Sequence, residues 1–364
     1  MRKLIWIPLL ILIVACSRHD DNITLEPVKP AEPKPGRNII LMIGDGMGLT
    51  QITGAKTVNG GKLNMFRCRT IGMQTTHCAD KYVTDSGAAS TAMACGKKTN
   101  YYYVGVDTAG NPLANIIEIL EKDGYSTGLI TTSEITHATP AAFYAHQVNR
   151  FNYEAIAMQL ITKGVDFFLG GGLRRFNQRT DGLNLVDSLL AKNYQVVNDV
   201  SALTGSGKAA IFISNEHPVP YLEGRGDILP NSIAIASGRL KQNKNGFFMM
   251  VEGAQIDWAG EENDQEYLMA EMLDFDRAVG EAIDFAEQDG NTLVIITGDH
   301  ETGGFALTDG SVSGNSIQGQ FVTWLHTGAM VPVFAYGPGE EAFAGVYDNT
   351  AIFSKMLKYY GMTP

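Results

Sequence analysis

The sequence predicts an α/β protein: a doubly wound, mainly parallel sheet with helices on both faces. Three observations lead there. Short apolar runs alternate along the chain with amphipathic helical stretches, the pattern of a parallel sheet buried under helices. Several of those runs end in glycine beside an acidic residue. The composition, 45% hydrophobic and 18% charged over 364 residues, is that of a globular chain, long enough for one large domain or two to three ordinary ones.

Residues 1–15 read as a lipoprotein signal peptide. Arg2 and Lys3 precede the apolar run Leu4–Val14, which is too short to span a bilayer comfortably. The run ends Ile13-Val14-Ala15-Cys16, which resembles a bacterial lipobox: cleavage before Cys16, then a lipid on that cysteine. Residues 16–36 are polar and carry Pro27, Pro30, Pro33 and Pro35, so they form an extended tether. The expected location is the periplasmic face or cell surface, lipid-anchored. Ser17 does not resemble an inner-membrane retention signal, which favours the outer membrane.

Residues 37–364 form the folded domain. Asn38–Ile43, Tyr125–Thr131, Ala209–Ile213, Gly246–Val251, Thr292–Thr297 and Val331–Ala335 read as buried strands. Leu113–Lys122 reads as a helix, with Leu113, Ile116, Ile117 and Leu120 on one face. Tyr153–Thr162, Leu185–Lys192, Glu266–Gln288 and Thr350–Tyr360 are further helices. In such folds ligands bind beyond the carboxyl ends of strands.

Charge narrows the partners. With 28 Lys+Arg against 39 Asp+Glu the net charge is −11. A nucleic acid is not an expected partner, since its backbone needs a basic surface. An anionic small molecule remains compatible if bound cations or a placed arginine intervene. With Cys16 lipidated, Cys68, Cys78 and Cys95 remain. They allow one disulfide at most, in a compartment that permits oxidation.

The strand ends carry the chemistry. Ile39–Ile43 runs into Gly44-Asp45-Gly46, Phe247–Val251 into Glu252-Gly253 with Ile256-Asp257 downstream, and Leu293–Thr297 into Gly298-Asp299-His300. Carboxylates gathered at one edge repel each other and lose solvation. Divalent cations are the economical compensation, and the neighbouring glycines let backbone approach closely. Ser86 opens a run of small residues of helical length. At a helix N-terminus its hydroxyl would sit beside free N–H groups that suit a phosphate. His137-Ala138-Thr139-Pro140 follows, then His146 and Arg150, whose planar fork suits an oxyanion. His326 stands in Leu325-His326-Thr327-Gly328 and taken alone reads as structural.

Asn38–Gly48, Thr84-Asp85-Ser86-Gly87-Ala88, His137–Ala142, Val251–Asp257, Gly298-Asp299-His300 and His326-Thr327-Gly328 together resemble the ordered motifs of alkaline phosphatases. The resemblance covers roughly residues 38–360. It implies two zinc ions and one magnesium. Asp45, Asp299 and His300 would hold the zinc beside the nucleophile. Asp257, His326 and the residue four after Asp257 would hold the other. Asp45, Thr139 and Glu252 would hold magnesium. Ser86 would be the nucleophile and Arg150 the phosphate clamp. His137 matches the vertebrate-type variant, where many bacterial relatives have aspartate, and Trp258 stands where others have lysine or histidine. Both would tune the magnesium site and the hold on phosphate.

Two departures stand out. Four residues after Asp257 the family has histidine, and this chain has Glu261. Glutamate binds zinc, but it adds charge and weakens the preference for zinc over harder cations. Three readings compete: Glu261 ligates, a shifted Glu262 or Asp264 ligates in its place, or the site is depleted. Ligation by Glu261 is the favoured of these three. Second, only residues 301–325 separate His300 from His326, so the crown insertion of many relatives is short or absent. A homodimer remains possible.

The resemblance therefore implies metal-dependent hydrolysis of small-molecule phosphate monoesters through a phosphoserine, releasing inorganic phosphate outside the cytoplasm. The alternatives are a phosphodiesterase of the same superfamily and a weakly catalytic lipoprotein that binds phosphate or metal. Other signals carry less. Gly205-Ser206-Gly207-Lys208 lacks the upstream glycine of a phosphate loop, Arg225-Gly226-Asp227 reads as chance, and His77, His146 and His217 read as structural.

Overall fold

A computed structural model describes residues 36–363. The signal peptide, Cys16 and residues 17–35 of the tether lie outside the described residues. The strands are β1 (Arg37–Gly44), β2 (Thr70–Thr75), β3 (Ser126–Glu134), β4 (Phe167–Gly171), β5 (Gln195–Val197), β6 (Ala209–Phe212), β7 (Gly246–Gly253), β8 (Thr292–Gly298), β9 (Glu301–Thr302), β10 (Ala306–Ser311), β11 (Ser316–Gln320), β12 (His326–Thr327), β13 (Val331–Tyr336) and β14 (Gly345–Asp348). Ten of them make the main sheet, in the order β14-β2-β13-β8-β1-β7-β3-β4-β6-β5. Every neighbouring pair is parallel except those of β13, which runs against β8 and β2.

Strand β1 shows why the sheet needs cover on both faces. Ile39, Leu41 and Ile43 enter one core, and Ile40 and Met42 enter the other, the alternation that a period of two imposes. The first core is closed by α2 (Ser86–Cys95), α3 (Ile116–Lys122), α5 (Tyr153–Lys163), α7 (Leu185–Ala191) and α11 (Thr350–Tyr359). The second is closed by α1 (Leu49–Val58), α8 (Ile228–Leu240), α9 (Gln255–Glu261) and α10 (Gln265–Asp289). Short α4 (Ala138–Ala141) and α6 (Arg174–Asn177) follow β3 and β4. Each fully buried large apolar chain contributes about 1.5–3 kcal/mol. On α10, Leu268, Met272, Phe275, Val279 and Ile283 are all fully buried, so this helix is core packing, as its spacing predicts.

All six expected strands are present, and the expected helices agree within a residue or two, except that α3 starts at Ile116 because Asn115 caps it. The side chain of Asn115 accepts from Glu118 N while Glu118 caps Asn115 in return. Register places the functional edge. Gly44 pairs with Gly253 and with Gly298, and Ile43 with Glu252. Asp45 and Asp299 thus leave adjacent strands at the same level.

Between His300 and His326 the chain makes β9, an exposed β10–β11 hairpin and β12, which pairs with β9. That is a short crown. Cys68, Cys78 and Cys95 are all buried and free, so the one disulfide the sequence allowed is not formed. Arg225 is buried against Glu271 and Asp274, which removes any adhesive reading of Arg225-Gly226-Asp227. The Gly205–Lys208 loop lies by Ser126 and Phe167, at the amino ends of β3 and β4, the edge opposite the carboxylates.

Candidate active site

Ser86 is the first residue of α2, and Asp85 is its N-cap. The Asp85 carboxylate accepts from Gly87 N at 3.1 Å and Ala88 N at 3.3 Å, satisfying amides the helix itself leaves unpaired. The same carboxylate accepts from Tyr102 N at 3.0 Å and from Arg150 Nη1 at 2.8 Å. The residue beside Ser86 therefore also seats Arg150. Arg150 is buried; burial alone would lower its pKa, but Asp85, then Asp45 and Asp257, raise it. Its Nη2 donates to His137 Nε2 at 3.2 Å. The His137 pKa falls well below the ordinary value through burial, Arg150 and His217, so the ring is neutral.

The first cluster is Asp45, Asp299 and His300, all fully buried. His300 Nε2 lies 3.3 Å from Asp45 Oδ1, 3.3 Å from Asp299 Oδ2 and 3.4 Å from Ser86 Oγ. These three side chains thus meet directly against the Ser86 hydroxyl. Gly46 makes the turn. Its φ is +77°, and a Cβ there would stand 2.8 Å from Asp257 Cα and 2.8 Å from Thr302 Oγ1.

The second cluster brings together Asp257, His300 and His326, with Glu261 at its rim. His326 Nε2 lies 3.4 Å from Asp257 Oδ1 and 3.8 Å from Glu261 Oε1. His326 Nδ1 faces Thr84 O at 2.8 Å; a carbonyl only accepts, so Nδ1 carries the proton and Nε2 is bare toward the carboxylates. The His326 ring stacks on that of His300, centroids 3.6 Å apart. Glu261 is half-exposed on its helix, with Asp257 one turn earlier.

The third cluster is Asp45, Glu252 and His137, with Thr139 donating to Asp45 Oδ2 at 3.5 Å. Glu252 accepts from Thr131 and Ser133 on β3. A ring nitrogen of His137 reaches the ligand cluster itself, closer than the tuning role expected of it. Trp258 is half-buried beside it, ring centroids 6.0 Å apart. His217, read from sequence as structural, packs edge-on against both, 4.8 Å from Trp258 and 5.7 Å from His137. His146, by contrast, bridges Gly105 O and Glu118 away from the clusters.

Electrostatics states what the arrangement needs. Asp45 is raised well above the carboxylate range by burial and by Asp299, Asp257 and Glu252. Burial raises Glu252 to about 7; burial with Asp257 raises Asp299 to about 6 and Glu261 to about 7. Asp45 Oδ1, Asp299 Oδ2 and Glu252 Oε1 are buried with no hydrogen-bond partner. Orphaned buried carboxylate oxygens cost free energy unless a cation meets them. The donor set, carboxylate and hydroxyl oxygens with the imidazoles of His300, His326 and His137, fits zinc and magnesium.

Every site residue expected from sequence is therefore found at one edge. Sequence reasoning missed Thr302, whose hydroxyl donates to Asp257 Oδ1 and lies 3.2 Å from His300 Nδ1. It also missed His217. Thr302 had a faint signal, lying in the glycine-rich Gly298–Gly304 stretch; His217 had none.

Comparison with known proteins agrees. The alkaline phosphatase family profile matches residues 36–323. Alkaline phosphatase 4 of Bacillus subtilis is 34% identical, over 88% of this chain and 89% of its own. Alkaline phosphatase of Escherichia coli is 31% identical, over 90% and 87%. The solved structure of alkaline phosphatase from the Antarctic bacterium TAB5 superposes with a TM-score of 0.86 at 39% identity, covering 92% of this chain and all of that one. A variant of the same enzyme is described with Mg bound in the M3 site.

Proposed function

This chain belongs to the alkaline phosphatase family and hydrolyses phosphate monoesters; from that premise we propose how its residues carry the reaction. Asp45, Asp299 and His300 would hold one zinc. Asp257, His326 and Glu261 would hold the second. Asp45, Thr139 and Glu252 would hold magnesium, with His137 and Trp258 beside it. Bound there, the metals supply the positive charge and the lowered oxygen pKa values that displacement at a dianionic phosphoryl group requires.

The residues supply position. Arg150, fixed by Asp85, presents its guanidinium to two phosphate oxygens. Ser86 Oγ attacks phosphorus in line while the bond to the ester oxygen breaks and the alcohol leaves. Water then displaces the phosphoryl group from Ser86 Oγ. Two inversions give retention and regenerate the serine. The positive end of the α2 dipole, whose Gly87 and Ala88 amides Asp85 caps, favours the negative charge gathered at Ser86. Positioning and charge provide most of the rate in phosphoryl transfer.

The observation that carries this reading is the set of orphaned buried carboxylate oxygens packed against a serine at a helix N-terminus. We place the enzyme outside the cytoplasm, at the periplasmic face or cell surface, held by a lipid on Cys16 and more readily at the outer membrane. Among the described residues no helix is long and apolar enough to cross a membrane, and a homodimer is compatible with the short crown.

The test is steady-state hydrolysis of an aryl phosphate monoester and the matching diester by the full chain supplied with zinc and magnesium, beside Ser86→Ala. The expected result is monoester turnover well above diester turnover, lost in Ser86→Ala, with acid-trapped phosphate only in the parent. Diester preference, or trapped phosphate on Ser86→Ala, would overturn the scheme.

A further inference from the structure

We infer that Thr302 is a positioning residue that couples the two zinc clusters: one hydroxyl fixes a ligand of each. The inference rests on the metal reading above.

Thr302 is the second residue of β9 and is buried. Its backbone N–H donates to Gly46 O at 3.2 Å, and its pairing partner on β12 is His326. Two glycines make room for it. A Cβ on Gly46 would stand 2.8 Å from its hydroxyl, and one on Gly260 would stand 3.0 Å from its methyl. The side chain is thus held between the turn after β1 and helix α9.

A threonine hydroxyl has a single proton. Two groups face it, Asp257 Oδ1 and His300 Nδ1. The carboxylate can only accept, so the hydroxyl proton goes to Asp257. Its lone pair then faces His300 Nδ1, which must be the protonated nitrogen of a neutral ring. The bare nitrogen is accordingly Nε2, the atom that faces Asp45, Asp299 and Ser86. The same hydroxyl turns the Asp257 carboxylate against His326, whose own tautomer Thr84 O sets. Outer hydrogen bonds of this kind commonly change metal affinity about 10–100-fold. Here a single bond donor and acceptor serves two centres.

The test is zinc content of the full chain, by elemental analysis, as chelator concentration is stepped up. The parent is compared with Thr302→Val, which keeps the methyl and volume, and Thr302→Ser, which keeps the hydroxyl. The expected result is that Thr302→Val releases both zinc ions at chelator concentrations about 10–100-fold lower than the parent. Thr302→Ser stays within about threefold. A packing role predicts the reverse order, because serine loses the methyl against Gly260. Parent-like retention in Thr302→Val, loss in Thr302→Ser equal to that in Thr302→Val, or loss of one zinc only would overturn the inference. A parent that takes up no zinc would overturn the metal reading and this inference with it. Should Thr302→Val not fold, Thr302→Ser against Thr302→Ala makes the same comparison, since those two differ only in the hydroxyl; equal retention by both would then be the overturning result.

Discussion

Asp85 Oδ2 lies 2.8 Å from Arg150 Nη1 while the same carboxylate caps the helix that begins at Ser86. Ser86, the proposed nucleophile, and Arg150, the proposed phosphate clamp, therefore share one anchor, and disturbing it disturbs both. Asp85→Ala removes a cap, worth about 0.5–2 kcal/mol, and strands a buried arginine, which costs about 3–5 kcal/mol where no other partner compensates. Asp45 and Asp257 partly compensate here. The expected loss is about 3 kcal/mol in denaturant unfolding, with KM and the inhibition constant of inorganic phosphate both rising about tenfold.

Glu261 sets the Asp257–His326 cluster, the proposed second zinc site, apart. Its carboxylate reaches His326 Nε2 only to 3.8 Å and is half-exposed. Glu261→His would replace a charged oxygen donor by a neutral nitrogen donor, which zinc prefers over harder cations. Zinc retention at that cluster should rise about tenfold under chelator challenge, with higher turnover at limiting zinc. A variant no better than the parent would show that the glutamate does not weaken the site.

Metal removal should cost more stability at high pH than at low pH. Glu252, Glu261 and Asp299 have folded pKa values raised to about 7, 7 and 6, above those of the unfolded chain, near 4. A raised carboxylate contributes stability below the unfolded pKa and loses it as pH climbs through the folded value. The metal-free protein therefore weakens between about pH 4 and pH 7, while cations favour the ionised carboxylates. The drop in Tm on adding chelator should be small at pH 5 and large at pH 8. A drop independent of pH would contradict this account.

Glu301 anchors the strand that returns His326 to the site. Its carboxylate accepts from Gln51 Nε2 at 2.6 Å, Phe305 N at 3.1 Å and the Thr327 hydroxyl. Glu301→Ala leaves those donors unpaired, at about 1–3 kcal/mol for each that stays buried. Thermal unfolding should show a loss of at least that size. Zinc should leave the His326 cluster before the Asp299 cluster; simultaneous release would count against the anchoring role.

The central strands β1, β7 and β8 were legible because they are buried on both faces and read as apolar runs, whereas β3 offered only Leu129 and Ile130 among threonines and serines. The strands that went unread are of other kinds. β2 and β14 are partly exposed edge-side strands with mixed polarity, β5 is a three-residue edge strand, and β4 is Phe167–Gly171, a short run ending in glycines. Helix α1 was hidden by Gly54 and its threonines, poor helix formers. Helix α8 was hidden by Pro230, harmless in a first turn where no intrahelical bond is lost, and by Gly238. The strand-end carboxylates were legible because glycine punctuates each strand end, whereas Thr139, His326 and Glu261 were picked out only by the resemblance. The groups that orient these ligands were not legible: whether Thr302 meets Asp257, or His217 meets Trp258, depends on contacts between distant segments.

The glycines that end β1, β7 and β8 stand in register, and the acidic ligands lie on or just beyond those three strands. No stretch of neighbouring sequence can form any of the three clusters, since each draws on segments far apart in the chain. Contacts of such long separation come late and cost loop closure first. A growing or half-folded chain thus offers isolated carboxylates and no chelating pocket. Uptake of the ions therefore requires the sheet to be closed, and a strand slipped by one residue would carry its side chains out of the clusters they serve.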